Sequence, residues 1–311
     1  NTNWGNRPDR AAVNNVRNLQ PEYLGTLATP TDGNWRKAFA ENMVKDPMFA
    51  RNFANRFWKE MFNLALVEPV DSLDPARLDL KNPPPAPWGM QATHPELLDK
   101  LAEFFTAYDF NLRGYLRTLA QSTAYQLSTR YEGEWKYEYT TSFARHYPRR
   151  LMAEEVHDAI VKATDVPGTY VVRGFDTPIG WAMQLPEPAE PRTAGAVVTF
   201  LNLFLRGNRD SQQRSNNLSI LQMMNLMNDA FVLNRVRVAA SPTLQAVAKL
   251  GTAEEIADEL SLLFLSRLPT EKERGIAVEY LSQARDANER NQFIEDLAWA
   301  LVNRPEFLFS Y

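Results

Sequence analysis

Three histidines, His94, His146 and His157, are the only imidazoles available for proton transfer near neutral pH in a chain of 311 residues. Glu154 and His157 stand at i, i+3, the Glu-x-x-His unit from which helical di-metal centres are built. Such a centre needs a second unit and two further glutamates. The chain has no second unit, so no metal is expected. Asp158 adjoins His157, which sets an acid beside an imidazole as general acid–base chemistry requires. A solvated or partly buried helix face would carry the same pattern. Arg145, Arg149 and Arg150 flank His146 and Tyr147. Guanidinium groups so placed suit a carboxylate, phosphate or sulfate ligand. The expected alternative is pairing with Glu154 and Glu155 at the start of the next helix, where acids also favour the helix dipole.

Aromatic residues are plentiful, with 7 Trp, 11 Tyr and 17 Phe. Phe53, Phe57 and Trp58 recur at helical spacing and belong to a core. Trp88, Trp135 and Trp181 fall in loops, where indole rings stack on sugars, anchor a partner or cover a core edge. Met223, Met224 and Met227 read as core filling rather than haem ligands. Cysteine is absent, which excludes disulfides, thiolate metal sites, a cysteine nucleophile and covalent haem through C-x-x-C-H. There is no Gly-rich phosphate loop, G-x-S-x-G elbow or H-E-x-x-H helix. A net charge of −4 argues against a nucleic-acid partner.

The elements that must position these residues are mostly helices. Asp46-Pro47 is a helix start, and apolar positions follow at spacings of three and four through Phe53, Phe57, Met61 and Leu64 until Glu68-Pro69. Thr93-His94-Pro95-Glu96, Thr252 to Glu255 and Thr270 to Glu273 read as capping boxes before further apolar stripes. Helices on either side of 109–111 are expected to be neighbours. Trp135, Tyr137 and Tyr139 alternate with charged residues and suggest a short strand or hairpin arm, and Tyr170 to Val172 a brief strand. Glycine, at 13 residues, is scarce against the usual ~7%. The predicted fold is mainly α, a multi-helix, bundle-like domain of about nine helices. Residues 1–33 form an extended N-terminal arm, and 34–311 a single helical domain with a loop-rich, strand-poor middle insertion at about 165–216. The longest apolar run, Ala194 to Leu205, is shorter than the roughly 18 residues a membrane helix needs, so no transmembrane segment is expected. The chain begins at Asn1, and a leader or upstream module is expected before it.

A series of boxes resembles one family in order along the chain. Asn55-Arg56-Phe57-Trp58, Leu66-Val67-Glu68-Pro69-Val70-Asp71 and His94-Pro95-Glu96-Leu97-Leu98-Asp99 open it. Leu116-Arg117 with Ser122 to Ser128, then Pro148-Arg149-Arg150-Leu151-Met152-Ala153-Glu154-Glu155, continue it. Ser215 to Gln222 with Leu226-Met227-Asn228-Asp229, Leu268 to Glu273, and Trp299 to Phe307 close it. These resemble the planctomycete secreted domain family, found C-terminal to planctomycete-type cytochrome c modules. The departures, Asn217-Leu218-Ser219 and Asn303-Arg304-Pro305, keep helix-start or helix-end chemistry. The resemblance spans roughly residues 36–309.

The resemblance implies an exported bacterial protein, periplasmic or attached to the cell surface, with no established reaction. Haem c would sit on an upstream module or a partner, and no cofactor is expected within this chain. The expected role is a non-catalytic scaffold or interaction domain of a cytochrome c-associated assembly, an electron-transfer accessory working with other protein subunits. Its contact surface would be the arm 1–33 and loops such as 82–90. The alternative is a glycan-binding or glycan-processing domain that meets polysaccharide through Trp88, Trp135 or Trp181 and carboxylates. Whether the chain is an enzyme is left open. Arg56, Asp71, His94, Arg117, Arg149 and Glu154 are polar residues set against apolar stripes. They are expected to form a buried network that holds helices in register, with a ligand cleft as the alternative.

Overall fold

The computed structural model describes residues 14–15, 22–24, 26–27, 30, 32–192, 194–207 and 219–311. Most of the expected arm 1–33, and the Ser215 to Leu218 part of one box, lie outside these residues. Among the described residues the chain is mainly helical, with twelve α-helices and four two-residue strands. Sequence periodicity predicts about nine helices, because elements as short as Pro242–Val247 are too brief to show a period. The chain divides between Tyr147 and Pro148 into two compact units, each with its own core. Periodicity drew no such boundary within 34–311.

The first unit holds a small antiparallel pair, β1 (Glu22–Tyr23) with β2 (Thr26–Leu27), and four helices. These are α1 (Trp35–Lys45), α2 (Pro47–Phe62), α3 (Pro95–Ala107) and α4 (Leu112–Ala120). Asp46 separates α1 from α2. Its carboxylate accepts the Met48 N–H at 2.8 Å, with Pro47 behind it, as the start signal predicts. Helix α2 ends at Asn63, in a left-handed conformation at φ 61°, well before the Glu68-Pro69 stop. Ala54, Trp58 and Phe62 of α2 pack with Leu98 and Phe105 of α3 and Tyr115 and Leu119 of α4. The Phe53 and Phe105 rings stack at 3.9 Å, as do Trp58 and Phe62. Each such pair adds about 0.5–1.5 kcal/mol beyond area burial. Helices α3 and α4 are neighbours, joined through Asp109 and Phe110, both at positive φ.

Two local expectations fail here for identifiable reasons. Thr93 does not cap α3. Its N–H and hydroxyl both donate to the Leu66 carbonyl, at 2.8 and 3.3 Å, and His94 takes the cap position with no side-chain cap bond. Trp135, Tyr137 and Tyr139 form no strand. Tyr137–Ser142 is a 3₁₀ turn in which the Tyr139 N–H meets the Lys136 carbonyl at 3.0 Å. A strand needs a neighbouring ladder, and this backbone bonds to itself instead.

The second unit opens with β3 (Arg149–Arg150) and closes with β4 (Phe309–Ser310), which pair antiparallel, Arg150 opposite Phe309. Between them run α5 (Ala153–Thr164), α6 (Gly195–Leu203), α7 (Ile220–Asn228), α8 (Ala230–Leu233) and α9 (Pro242–Val247). Then follow α10 (Ala253–Leu265), α11 (Glu271–Leu281) and α12 (Ala287–Val302). Helix α5 is central. Val156, Ile160 and Val161 are fully buried, and α6, α9 and α10 pack around it. The apolar run within the loop-rich stretch folds as α6, burying Val197, Phe200 and Leu201. The brief strand at Tyr170 is a single bridge, Tyr170 with Ile179. Thr252 and Thr270 form the expected capping boxes, with Glu255 and Glu273 returning to their N–H groups.

The first unit is pinned by Asn55 of α2. Its amide donates to the carbonyls of Val67 and Val70, at 3.0 and 3.3 Å, and its oxygen accepts the Val67 N–H at 2.9 Å. Asn55 is fully buried, so these bonds have no water competitor. Replacement by leucine strands the Val67 amide and is expected to destabilise the chain by about 2–4 kcal/mol. A leftward shift of the urea unfolding midpoint would register the loss, and an unchanged midpoint would contradict this role.

Candidate functional site

The densest polar constellation lies inside the second unit, where side chains from β3, α5 and α7 converge. Arg150 of β3 is buried, and its Nη2 donates to Gln222 Oε1 at 2.6 Å. Gln222 also accepts the Ser219 N–H at 3.3 Å and donates to the Leu203 carbonyl at 3.0 Å. Ser219 in turn accepts the Gln222 N–H, which closes a capping box on α7. One buried amide thus joins β3, the end of α6 and the start of α7. The Arg150 guanidinium lies 5.8 Å from the Phe204 ring, and burial pushes its pKa down.

Glu154, also buried, faces Arg206 at 3.3 Å. The Arg206 guanidinium donates to the carbonyls of Glu187 and Glu190 as well, tying the loop before α6 to its end. Arg149 makes a bidentate pair with Glu155, both bonds at 2.8 Å. The expected pairing of arginines with the first turn of α5 therefore holds for Arg149 with Glu155. Glu154 is taken by Arg206, which belongs to none of the boxes and carries no signal in sequence.

His157 is fully buried and bridges two partners. Its Nδ1 lies 2.7 Å from Asp158 Oδ1, and its Nε2 lies 2.7 Å from the Tyr170 hydroxyl. A carboxylate only accepts, so Nδ1 carries the proton and Nε2 accepts from Tyr170. Asp158 also accepts the N–H groups of Ala182 and Met183 at 2.7 and 3.0 Å. Burial holds the imidazole pKa below its ordinary 6.5 and pushes the Tyr170 phenol up to about 12. The Phe231 ring stacks on the imidazole at 4.6 Å. This acid–imidazole–phenol chain resembles a proton relay in composition. All its inner members are closed into the core, where they clamp the Tyr170–Ile179 loop onto α5.

Arg56, Asp71, His94 and Arg117 belong to the first unit, Arg149 and Glu154 to the second. Arg56 and Asp71 form an ion pair, with side chains 51% and 63% exposed, so this pair is solvated rather than buried. His94 is half-buried beside Thr93, 6.0 Å from the Phe143 ring. Arg117 is exposed on α4. Burial in a polar network is realised at Glu154 and at Arg150 of the arginine cluster, while the buried pins Asn55 and Gln222 sit inside the boxes without standing out among their neighbours. The one signal these two carry in sequence is an amide held at helical spacing among apolar residues.

The loop tryptophans diverge. Trp181 packs against the second core. Trp88 is exposed, with the Arg77 guanidinium 5.2 Å from its ring. Trp135 carries the Arg145 guanidinium at 4.1 Å and adjoins Tyr131 and Tyr139 at 5.2 and 5.9 Å. Two depressions accompany these features. An apolar groove of about 370 Å³ runs between α10, α11 and α12, lined by Leu260, Ile276, Leu297 and Leu301. A wider one of mixed polarity, about 1260 Å³, lies in the first unit beside Arg51, Asp79 and Asp99. Among the described residues, no group of three or more His, Asp or Glu is gathered to hold a metal ion, and no helix is long and apolar enough to cross a membrane.

The lowered pKa of His157 has a signed consequence. The unfolded chain takes up a proton near pH 6.5 that the folded chain refuses, so stability is full above that pH and falls as the solution is acidified. A tenfold difference in proton affinity between the folded and unfolded chain corresponds to about 1.4 kcal/mol. In urea titrations between about pH 7 and about pH 5, His157→Gln is expected to flatten the slope relative to the parent. Equal slopes would show that His157 protonates freely in the fold.

A profile of PSD1, described as a protein of unknown function (DUF1553), matches residues 35–281. No curated protein and no solved structure matches the chain.

Proposed function

The chain belongs to the PSD1 family of proteins of unknown function, and from that premise we propose that it acts as a helical scaffold or interaction domain, non-catalytic in itself, within an assembly of protein subunits. One observation carries this reading. Helix α7 buries Gln222 and Leu226 but turns Ile220, Leu221, Met224 and Met227 to solvent, at 80%, 66%, 53% and 42% exposure. These positions, i, i+1, i+4 and i+7, share one side of the helix. Only Met223 of the methionine group packs against the core, so core filling does not account for Met224 and Met227. An apolar strip of this kind on a helix suits the complementary apolar face of a partner protein, and methionines adapt readily to such a face. The inner side of α7 is fixed by the Gln222 bonds, so the strip is presented without loss of order on binding.

Export, attachment in the periplasm or at the cell surface, and partnership with a cytochrome c subunit complete the proposal. They are supported by the resemblance of the boxes alone. A second reading, a glycan-binding domain, is favoured by the exposed Trp88 and by the stacking of Trp135 on Arg145.

A photo-crosslinking residue placed at Leu221, in cells that make the protein, tests the scaffold reading. A discrete protein adduct is expected, abolished by Met224→Asp and absent when the probe sits at the exposed Glu259 of α10. Haem staining of the adduct would support the cytochrome partner. Absence of any Leu221 adduct, or its survival in Met224→Asp, would count against the scaffold.

A further inference from the structure

We propose that Arg145, lying over the Trp135 ring with Tyr147 alongside, is the binding site for the acid group of an anionic sugar, a uronate carboxylate or a sulfate ester on a polysaccharide. The inference rests on the glycan-binding reading and goes beyond it by naming the chemistry of the ligand.

The guanidinium carbon of Arg145 lies 4.1 Å from the Trp135 ring centre and 5.7 Å from that of Tyr147. The Tyr147 ring is itself fixed, because its hydroxyl donates to the Thr140 carbonyl at 2.8 Å. A cation lying over an aromatic ring is attracted to it, and the attraction strengthens as water is withdrawn. Water is withdrawn here: Arg145 Nε is buried and has no hydrogen-bond partner.

Among the described residues Arg145 forms no ion pair, in contrast to Arg51 with Asp99, Arg56 with Asp71 and Arg149 with Glu155. Glu132, Glu134 and Glu138 stand on the same stretch and are exposed, yet none engages it. A stacked guanidinium leaves its in-plane edge open, and that edge matches the two oxygens of a carboxylate or sulfate. Trp135 also meets Tyr131 and Tyr139 edge to face, at 80° and 83°, so an aromatic cluster stands beside the guanidinium against which the C–H groups of a pyranose ring can pack. An acid-bearing sugar needs both parts, one for its charge and one for its ring. A simple structural clamp would need only the aromatic part.

Affinity gel electrophoresis of the full chain in polygalacturonate, dextran sulfate and neutral dextran tests this. Retardation is expected in one or both anionic polymers and not in dextran, and the two anionic arms separate a carboxylate from a sulfate ligand. Arg145→Gln is expected to weaken binding about tenfold or more, since it removes a charge-assisted pair. Arg145→Lys, which keeps the charge but not the planar stack, should recover little of it. Urea midpoints check that each variant is folded. The proposal is overturned if Arg145→Gln binds as the parent does, or if Arg113→Gln on the exposed face of α4 weakens binding equally. Retardation in dextran that depends on Trp135 but not on Arg145 would overturn it while leaving the glycan reading standing. No retardation in any polymer would remove both.

Discussion

A polar side chain withdrawn from water inside packed helices has no sheet ladder to join, so each donor or acceptor it satisfies must be matched by a specific partner. This constraint organises both units. Gln222 meets it most completely, with bonds to Arg150, Leu203 and Ser219 that bring a strand, a helix end and a helix start to one point. Asn55 does the same between α2 and the chain at Val67 to Val70. His157 does so between α5 and the Tyr170 loop. Apolar stripes alone would tolerate sliding and rotation of helices, since hydrophobic burial is non-directional. A buried amide or imidazole tolerates neither, because a shifted partner leaves it unsatisfied at a cost of about 1–3 kcal/mol.

That arrangement separates inside from outside in a way that bears on function. The groups whose chemistry looks most reactive on paper, Glu154, His157 and Asp158, are engaged in closing the second core. What reaches solvent is of another kind: an apolar strip on α7, an exposed Trp88, and a guanidinium stacked on indole. In the proposed reading these are the features that meet a partner or a ligand. The inner fastening of α7 and the fixed ring of Tyr147 mean that both surfaces are held in shape before anything binds.

Legibility followed the range of the interaction. Thr252 and Thr270 cap their helices as expected because the partners, Glu255 and Glu273, are three residues on. Asp46-Pro47 starts α2 for the same reason. Thr93 looked the same and fails, because the Leu66 carbonyl, 27 residues back, takes its hydroxyl. The alternation at Trp135 to Tyr139 promised a strand. Its rings instead pack together and over Arg145, an arrangement that a period of two cannot reveal.

The amino-acid sequence by itself determined the mainly helical class, the exclusion of cysteine-based chemistry and the membership of a family. Each depends on composition, local period or linear order. Only the tertiary structure decided which charge meets which: Glu154 with Arg206, Arg149 with Glu155, and Arg150 with Gln222 across 72 residues. Several carboxylates and amides were within chemical reason for each arginine. The choice among them is made by distance and desolvation in the folded chain, where a guanidinium pairs with whatever acceptor packing delivers to it, and Arg145 is left beside the Trp135 and Tyr147 rings with no ion pair among the described residues.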